Sequence, residues 1–286
     1  MANSFIVRLS LSQWSARKMD KAATAKARTD ANASAKAGVK VYKTILAADE
    51  LEAVARIASA AGQEHRRRTV PWNYEGVGAI TAEGYPAYKA AMAGYEKAFF
   101  KAVSDFMVVY ESEREEARSY LGNMFNAADY PTSIDLGAKF AFTTAVEPMP
   151  NAAAFNPHGL DPELVKEIKQ DIVENNVAAL EKANAVGWSR VLESVEKLKL
   201  RLQEYNGGHI TKFYDSWLSN ISELADMVPS INVADDPDLA RIGQRLLSLT
   251  AYSNADLKED EDLRKACIKQ AGEILGQIGE CYQKAA

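Results

Sequence analysis

The feature that most constrains this chain is a stretch of about 45 residues beginning at Asp161 that contains nothing able to stop a helix. Asp161 occupies a capping position, Pro162 the first helical position and Glu163 the first turn, which is a well-formed helix start. Val165, Ile168, Ile172, Leu180, Val191, Val195, Leu198 and Leu202 supply an apolar face, with Gly187 as a candidate bend, and the first terminator is Asn206, Gly207 and Gly208. Unbroken, such a helix is about 67 Å long and needs an equally long neighbour. The sequence offers one: Tyr88, Met92, Tyr95, Phe99, Val103, Phe106 and Tyr110 step by four or three residues and form one stripe over roughly 33 Å. An aromatic stripe at this spacing reads as core packing rather than as a cofactor site or base-stacking platform. Further helices are expected from about Ile210 to Met227, Pro237 to Ala251 and Leu257 to Gln283.

Two short segments follow a different period. Phe5, Val7, Leu9 and Leu11 alternate with other positions, as do Phe140, Phe142, Thr144 and Val146, so strands are expected near residues 4–12 and 139–147. They are expected to pair, and an isolated pair is marginal in water, so a third partner from Val77 to Ile80 or a covering helix is required. Between Gln13 and Ala37 the chain is rich in alanine and nearly devoid of large apolar residues, which favours a surface helix. Gly38 interrupts it before a second helical portion marked by Val41, Ile45, Leu51, Val54 and Ile57, and residues 62–84 read as an irregular loop. The expected fold is mainly α: an elongated antiparallel long-helix hairpin or bundle with a small β-sheet. It is read as a single elongated domain over 1–286: a basic part (1–68), a loop, amphipathic helix and short strand (69–160), and the long and C-terminal helices (161–286).

The formal charge of −5 conceals an asymmetry. Residues 1–68 hold thirteen Lys or Arg against six Asp or Glu, a net +7, and the remainder is −12. A split of this kind suits a nucleic acid, an acidic partner, or association of the head of one molecule with the tail of another, and equally a basic helix face lying on the chain's own acidic part. Cys267 and Cys281 lie fourteen residues apart in one helical stretch, roughly 21 Å at the helical rise, and read as free thiols of a reducing compartment. With no basic-flanked apolar leader and no run of about 18 apolar residues, a cytoplasmic protein without a membrane span is expected.

No residue pattern demanded by a known chemistry is present. Gly76 and Gly78 lack the rest of a phosphate loop, there is no CxxC, HExxH or Glu-x-x-His, and His65, His158 and His209 are scattered beside glycine or charge, as surface or capping residues are. Neither a catalytic residue, a metal site nor a cofactor is expected. The most specific local feature is Arg66, Arg67 and Arg68 after His65, with Trp72 close behind. Guanidinium groups neutralise phosphates and nearby aromatics offer faces to unpaired bases, so these residues, extended by Lys40 and Lys43 and the earlier track Lys18, Lys21, Lys26, Arg28 and Lys36, form a candidate nucleic-acid surface. The competing reading is a solvated helix end whose cations favour the dipole, with Trp72 plugging the core.

The landmarks LSQWSARKMDK, RRRTVPW, the aromatic stripe ending in a Tyr, then DYP, KF and PMP before the long helix resemble an uncharacterised family of phage and prophage proteins of about 300 residues. Its members are sometimes encoded near MoxR-like AAA+ ATPases and von Willebrand A proteins. The resemblance carries no catalytic residues and implies a phage-related setting with possible work beside a ring ATPase. The expectation is therefore a non-enzymatic protein that self-assembles or binds a partner through its helices and contacts nucleic acid through its basic quarter. The alternatives are an AAA+ adaptor or a membrane-active helical protein.

Overall fold

The computed structural model describes residues 3–205 and 213–285. The chain is 67% helical and mainly α, with nine α-helices among the described residues and a small antiparallel sheet. In chain order the elements are β1 (Ser4–Ser12), β2 (Arg17–Met19), α1 (Lys21–Asp30), β3 (Tyr42–Thr44), α2 (Asp49–Arg68), β4 (Val70–Trp72), β5 (Tyr74–Thr81), α3 (Tyr85–Leu121), α4 (Ser133–Gly137), β6 (Ala141–Pro148), α5 (Pro162–Glu204), α6 (Ser216–Ile231), α7 (Pro237–Leu249), α8 (Asn254–Glu259) and α9 (Glu261–Ala285). They group into two compact units that interleave along the sequence. The first holds Met1–Arg8, Glu64–Ala90 and Ala145–Ala286, and the second holds Leu9–Gln63 and Ala91–Thr144.

The main sheet has the order β4-β5-β1-β6, so the two strands expected to pair are neighbours and the required third strand is β5. Its register with β1 runs from Ser4 opposite Thr81 to Arg8 opposite Val77. Residues 62–84 are thus not an irregular loop. Helix α2 continues to Arg68, and Asn73, at a φ of 51°, turns β4 back into β5. This tight return demands Gly78, because a Cβ there would lie 2.3 Å from the Thr69 hydroxyl.

In the first unit α5 runs as one hydrogen-bonded helix for 43 residues. Gly187 serves close packing, since a Cβ would come within 3.1 Å of Leu239. Trp188, Val191, Val195, Leu198 and Leu202 form a core with Leu218, Ile221 and Leu224 of α6, Ile242 and Leu246 of α7 and Ile274 and Ile278 of α9. Asp236 joins these helices: its carboxylate caps the amides of Asp238 and Leu239 and accepts from Asn184 and the Trp188 indole at 3.0 and 2.9 Å. The expected single C-terminal helix is two, because Asp260 ends α8 and caps the amides of Asp262 and Leu263. The expected terminators Gly207 and Gly208, His209, and the start at Ile210 lie outside the described residues.

In the second unit the α3 stripe is core as expected. Phe99 packs on Phe142 at 5.7 Å, Phe106 on Phe140 at 6.0 Å, and Tyr110 edge-on to Trp14 at 5.9 Å. The N-terminal helices, however, are shorter than their propensity suggests. Residues 17–19 pair with 42–44 as an antiparallel ribbon, α1 covers only Lys21–Asp30, and α2 starts at Asp49.

Candidate nucleic-acid interface

The six candidate residues fall into different units: Arg66, Arg67, Arg68 and Trp72 in the first, Lys40 and Lys43 in the second. At the end of α2, Glu64 receives the guanidiniums of Arg67 at 2.7 Å and of Arg68, and Arg67 also reaches Glu223 at 2.7 Å. Burial raises the pKa of the Glu64 carboxyl, and the hydrogen bonds and charges of these two arginines outweigh that, holding it below its usual range. Arg190, on α5, donates to the backbone carbonyls of Arg66 and Arg67 at 2.9 and 3.2 Å, a cationic cap on the negative end of α2. Trp72 is 2% exposed and packs with Ile6, Val70 and Val77, so it offers no face to a base. His65 is also buried rather than a surface residue, with Nδ1 2.9 Å from the Tyr88 hydroxyl. Of this cluster only Arg66 is exposed. The end of α2 is thus a charge-compensated packing joint, because four arginines around one turn require carboxylates and carbonyls to coexist in a partly buried place.

The second unit presents cations differently. Residues 17–43 contain eight Lys or Arg and two Asp, and the side chains of Arg17, Lys18, Lys21, Lys26, Lys36 and Lys40 are exposed. This excursion leaves the core at Ala16, 1% exposed, and rejoins it at Ile45, 2% exposed, where the Ile45 amide donates to the Ala16 carbonyl at 2.8 Å. Its few large apolar side chains build no core, and it is held by polar bonds. Asp20 caps α1 at the Ala23 amide, the Asp20 amide donates to the Val41 carbonyl, the Val41 amide donates to the buried Thr24 hydroxyl, and Arg28 donates twice to the Val39 carbonyl. Lys43 is spent in the same way, on Asp129 at 2.9 Å and on the Met124 carbonyl.

On the ribbon, Met19 faces Tyr42 in register, and both are exposed, at 38% and 51%. The Arg17 guanidinium lies 5.7 Å from the centre of the Tyr42 ring. Sequence reading missed Arg17 and Tyr42 as a pair, because three-residue strands leave no periodicity to detect. The result is a strongly cationic surface of about one α-helix and a two-stranded ribbon, bearing one stackable aromatic and little carboxylate to neutralise it.

Elsewhere, both cysteines are free and buried, and burial pushes the Cys267 thiol up to about 11, which keeps it protonated and unreactive. No group of His, Cys, Asp or Glu able to hold a metal occurs among the described residues, and no helix among them is long and apolar enough to cross a membrane. Comparison with protein-family models, with curated proteins and with solved structures finds no match to this chain.

Proposed function

We propose that this protein is a non-catalytic, nucleic-acid-contacting protein whose phosphate-binding surface is the excursion 17–43, with Lys40 and the exposed Arg66 retained from the sequence-based candidates and Arg67, Arg68, Trp72 and Lys43 given structural roles. The observation that carries this reading is the concentration of six exposed cations on a segment stabilised by backbone and side-chain hydrogen bonds instead of a core. A segment built this way keeps its charges in water while fixing their spacing, which suits docking on a phosphate backbone. Self-assembly through long helices, in an elongated hairpin or coiled-coil arrangement, belongs to the same proposal, as does the phage-related setting implied by the resemblance, and an AAA+ ATPase adaptor is the alternative that the resemblance implies.

The test is the binding of the full chain to labelled single-stranded and duplex DNA across a salt series, with light scattering on the same samples. Affinity falling steeply with salt supports the reading, since each phosphate neutralised contributes about 0.7 to 0.9 to the slope. No binding at low salt contradicts it.

A further inference from the structure

The ribbon of β2 and β3 has two faces, and the second unit uses only one of them. Successive residues of a strand point to opposite sides, and directly paired residues share a side. The pairing of Arg17 with Thr44, Lys18 with Lys43 and Met19 with Tyr42 therefore puts Lys18 and Lys43 on one face and the other four residues on the second. The first face is turned to Asp129, which Lys43 reaches at 2.9 Å and Lys18 at 3.9 Å. The second face is open, with Arg17, Met19, Tyr42 and Thr44 all exposed.

Phosphate contact uses the cations of the excursion but leaves this face without a role, because a phenol ring and a thioether gain nothing from an anion. The ring is nevertheless held in place. Met19 lies directly opposite Tyr42, and Arg17, its diagonal neighbour, sets its guanidinium 5.7 Å from the ring centre, within cation–π range. Tyr42 remains 51% exposed and Met19 38%, so a flat, polarisable surface faces water in the middle of a cationic one. Arg17 and the exposed Lys40, two residues before Tyr42, lie on either strand beside it. The charge complements a phosphate chain and the ring complements a base. Bases inside a duplex have both faces covered by their neighbours, whereas an unpaired base has a face to give.

We infer that this face of the ribbon is a stacking platform for an unpaired base, so that the excursion takes single-stranded in preference to duplex nucleic acid. The base stacks on Tyr42 beside Met19, and Arg17 and Lys40 neutralise the phosphates that flank it. This rests on the reading of the excursion as the phosphate-binding surface and adds the class of nucleic acid it selects.

The experiment is anisotropy titration of the full chain with a labelled mixed-sequence DNA strand, the RNA strand of the same sequence, the annealed DNA duplex, and a strand of equal length made of abasic units. The abasic strand carries the same phosphates without bases. Wild type is expected to bind the DNA or RNA strand more tightly than the duplex, and about five- to a hundredfold more tightly than the abasic strand. The tighter of DNA and RNA identifies the strand, and equal binding of the two assigns recognition to base and phosphate alone. Tyr42→Leu is expected to lower the affinity for the base-bearing strand to that for the abasic one and to leave duplex binding unchanged, while Tyr42→Phe keeps the ring and the affinity. The abasic comparison on wild type needs no variant and so is independent of any folding defect. Equal binding of abasic and base-bearing strands, or wild-type behaviour of Tyr42→Leu, would overturn the stacking platform and leave the phosphate-binding surface standing. Binding of no probe at low salt would remove both.

Discussion

Lys43 and Asp129 form an ion pair at 2.9 Å with side chains only 10% and 12% exposed, which fastens the β2–β3 ribbon to the segment after α3. Lys18 reaches the same carboxylate at 3.9 Å but remains largely in water, so one of two cations near Asp129 is structural and the other is available. Lys43→Ala leaves the nearly buried Asp129 carboxylate with only the Lys18 ammonium at 3.9 Å and is expected to cost about 3 kcal/mol. Hydrogen exchange at the ribbon amides checks this, and unchanged protection would show that the ribbon does not depend on the pair.

Arg67 and Arg68 are expected to matter for stability and little for polyanion binding. Their side chains are 37% and 22% exposed and engaged with Glu64 and Glu223, so replacing both by Gln is expected to lower stability by about 1 kcal/mol, as partly exposed pairs do. Urea unfolding reads the first effect and DNA titration the second.

His65 makes the first unit acid-sensitive. Burial, with the nearby Arg66 charge, holds its pKa down from the usual 6.5 to about 4. The unfolded chain therefore binds the proton more readily between those values. The stability from the neutral imidazole is fully present above pH 6.5 and is lost as pH falls toward 4, by roughly 3 kcal/mol in total. A His65→Gln variant is expected to be less stable at pH 7 and to show a flatter stability profile between pH 6.5 and 4. An unchanged profile would place the sensitivity elsewhere.

Gly84 and Gly94 should respond to alanine with opposite signs. The Gly84 site would put a Cβ 2.3 Å from Ser230, so Gly84→Ala is expected to cost about 3 kcal/mol. Gly94 lies within α3 with nothing within 4 Å of its position, so Gly94→Ala is expected to gain up to about 1 kcal/mol of helix propensity. Thermal and urea midpoints of the two variants separate these outcomes.

Long periodic segments were legible in the sequence. The capped start at Asp161, the aromatic stripe of α3 and the alternation in β1 and β6 each repeat a period often enough to identify the element. The region 13–48 was not, because alanine and lysine favour a helix locally while the observed structure depends on bonds spanning the segment, such as Thr24 to Val41 and Arg28 to Val39. Sequence identified Arg66–Arg68 as notable but could not tell exposure from compensation, since Glu223 and Arg190 are more than a hundred residues away. Of the earlier track, Lys18, Lys21, Lys26 and Lys36 proved to be exposed, and Arg28 is partly buried on the Val39 carbonyl.

The most direct test of the central claim compares the affinity of wild type with that of a Lys18→Gln, Lys21→Gln, Lys26→Gln, Lys40→Gln variant for one labelled single-stranded DNA across a salt series. All four side chains are exposed, so the variant is expected to fold normally. The account predicts at least a tenfold loss of affinity at low salt and a salt slope shallower by about 3. Wild-type affinity and slope in that variant would contradict it and remove the excursion as the phosphate-binding surface.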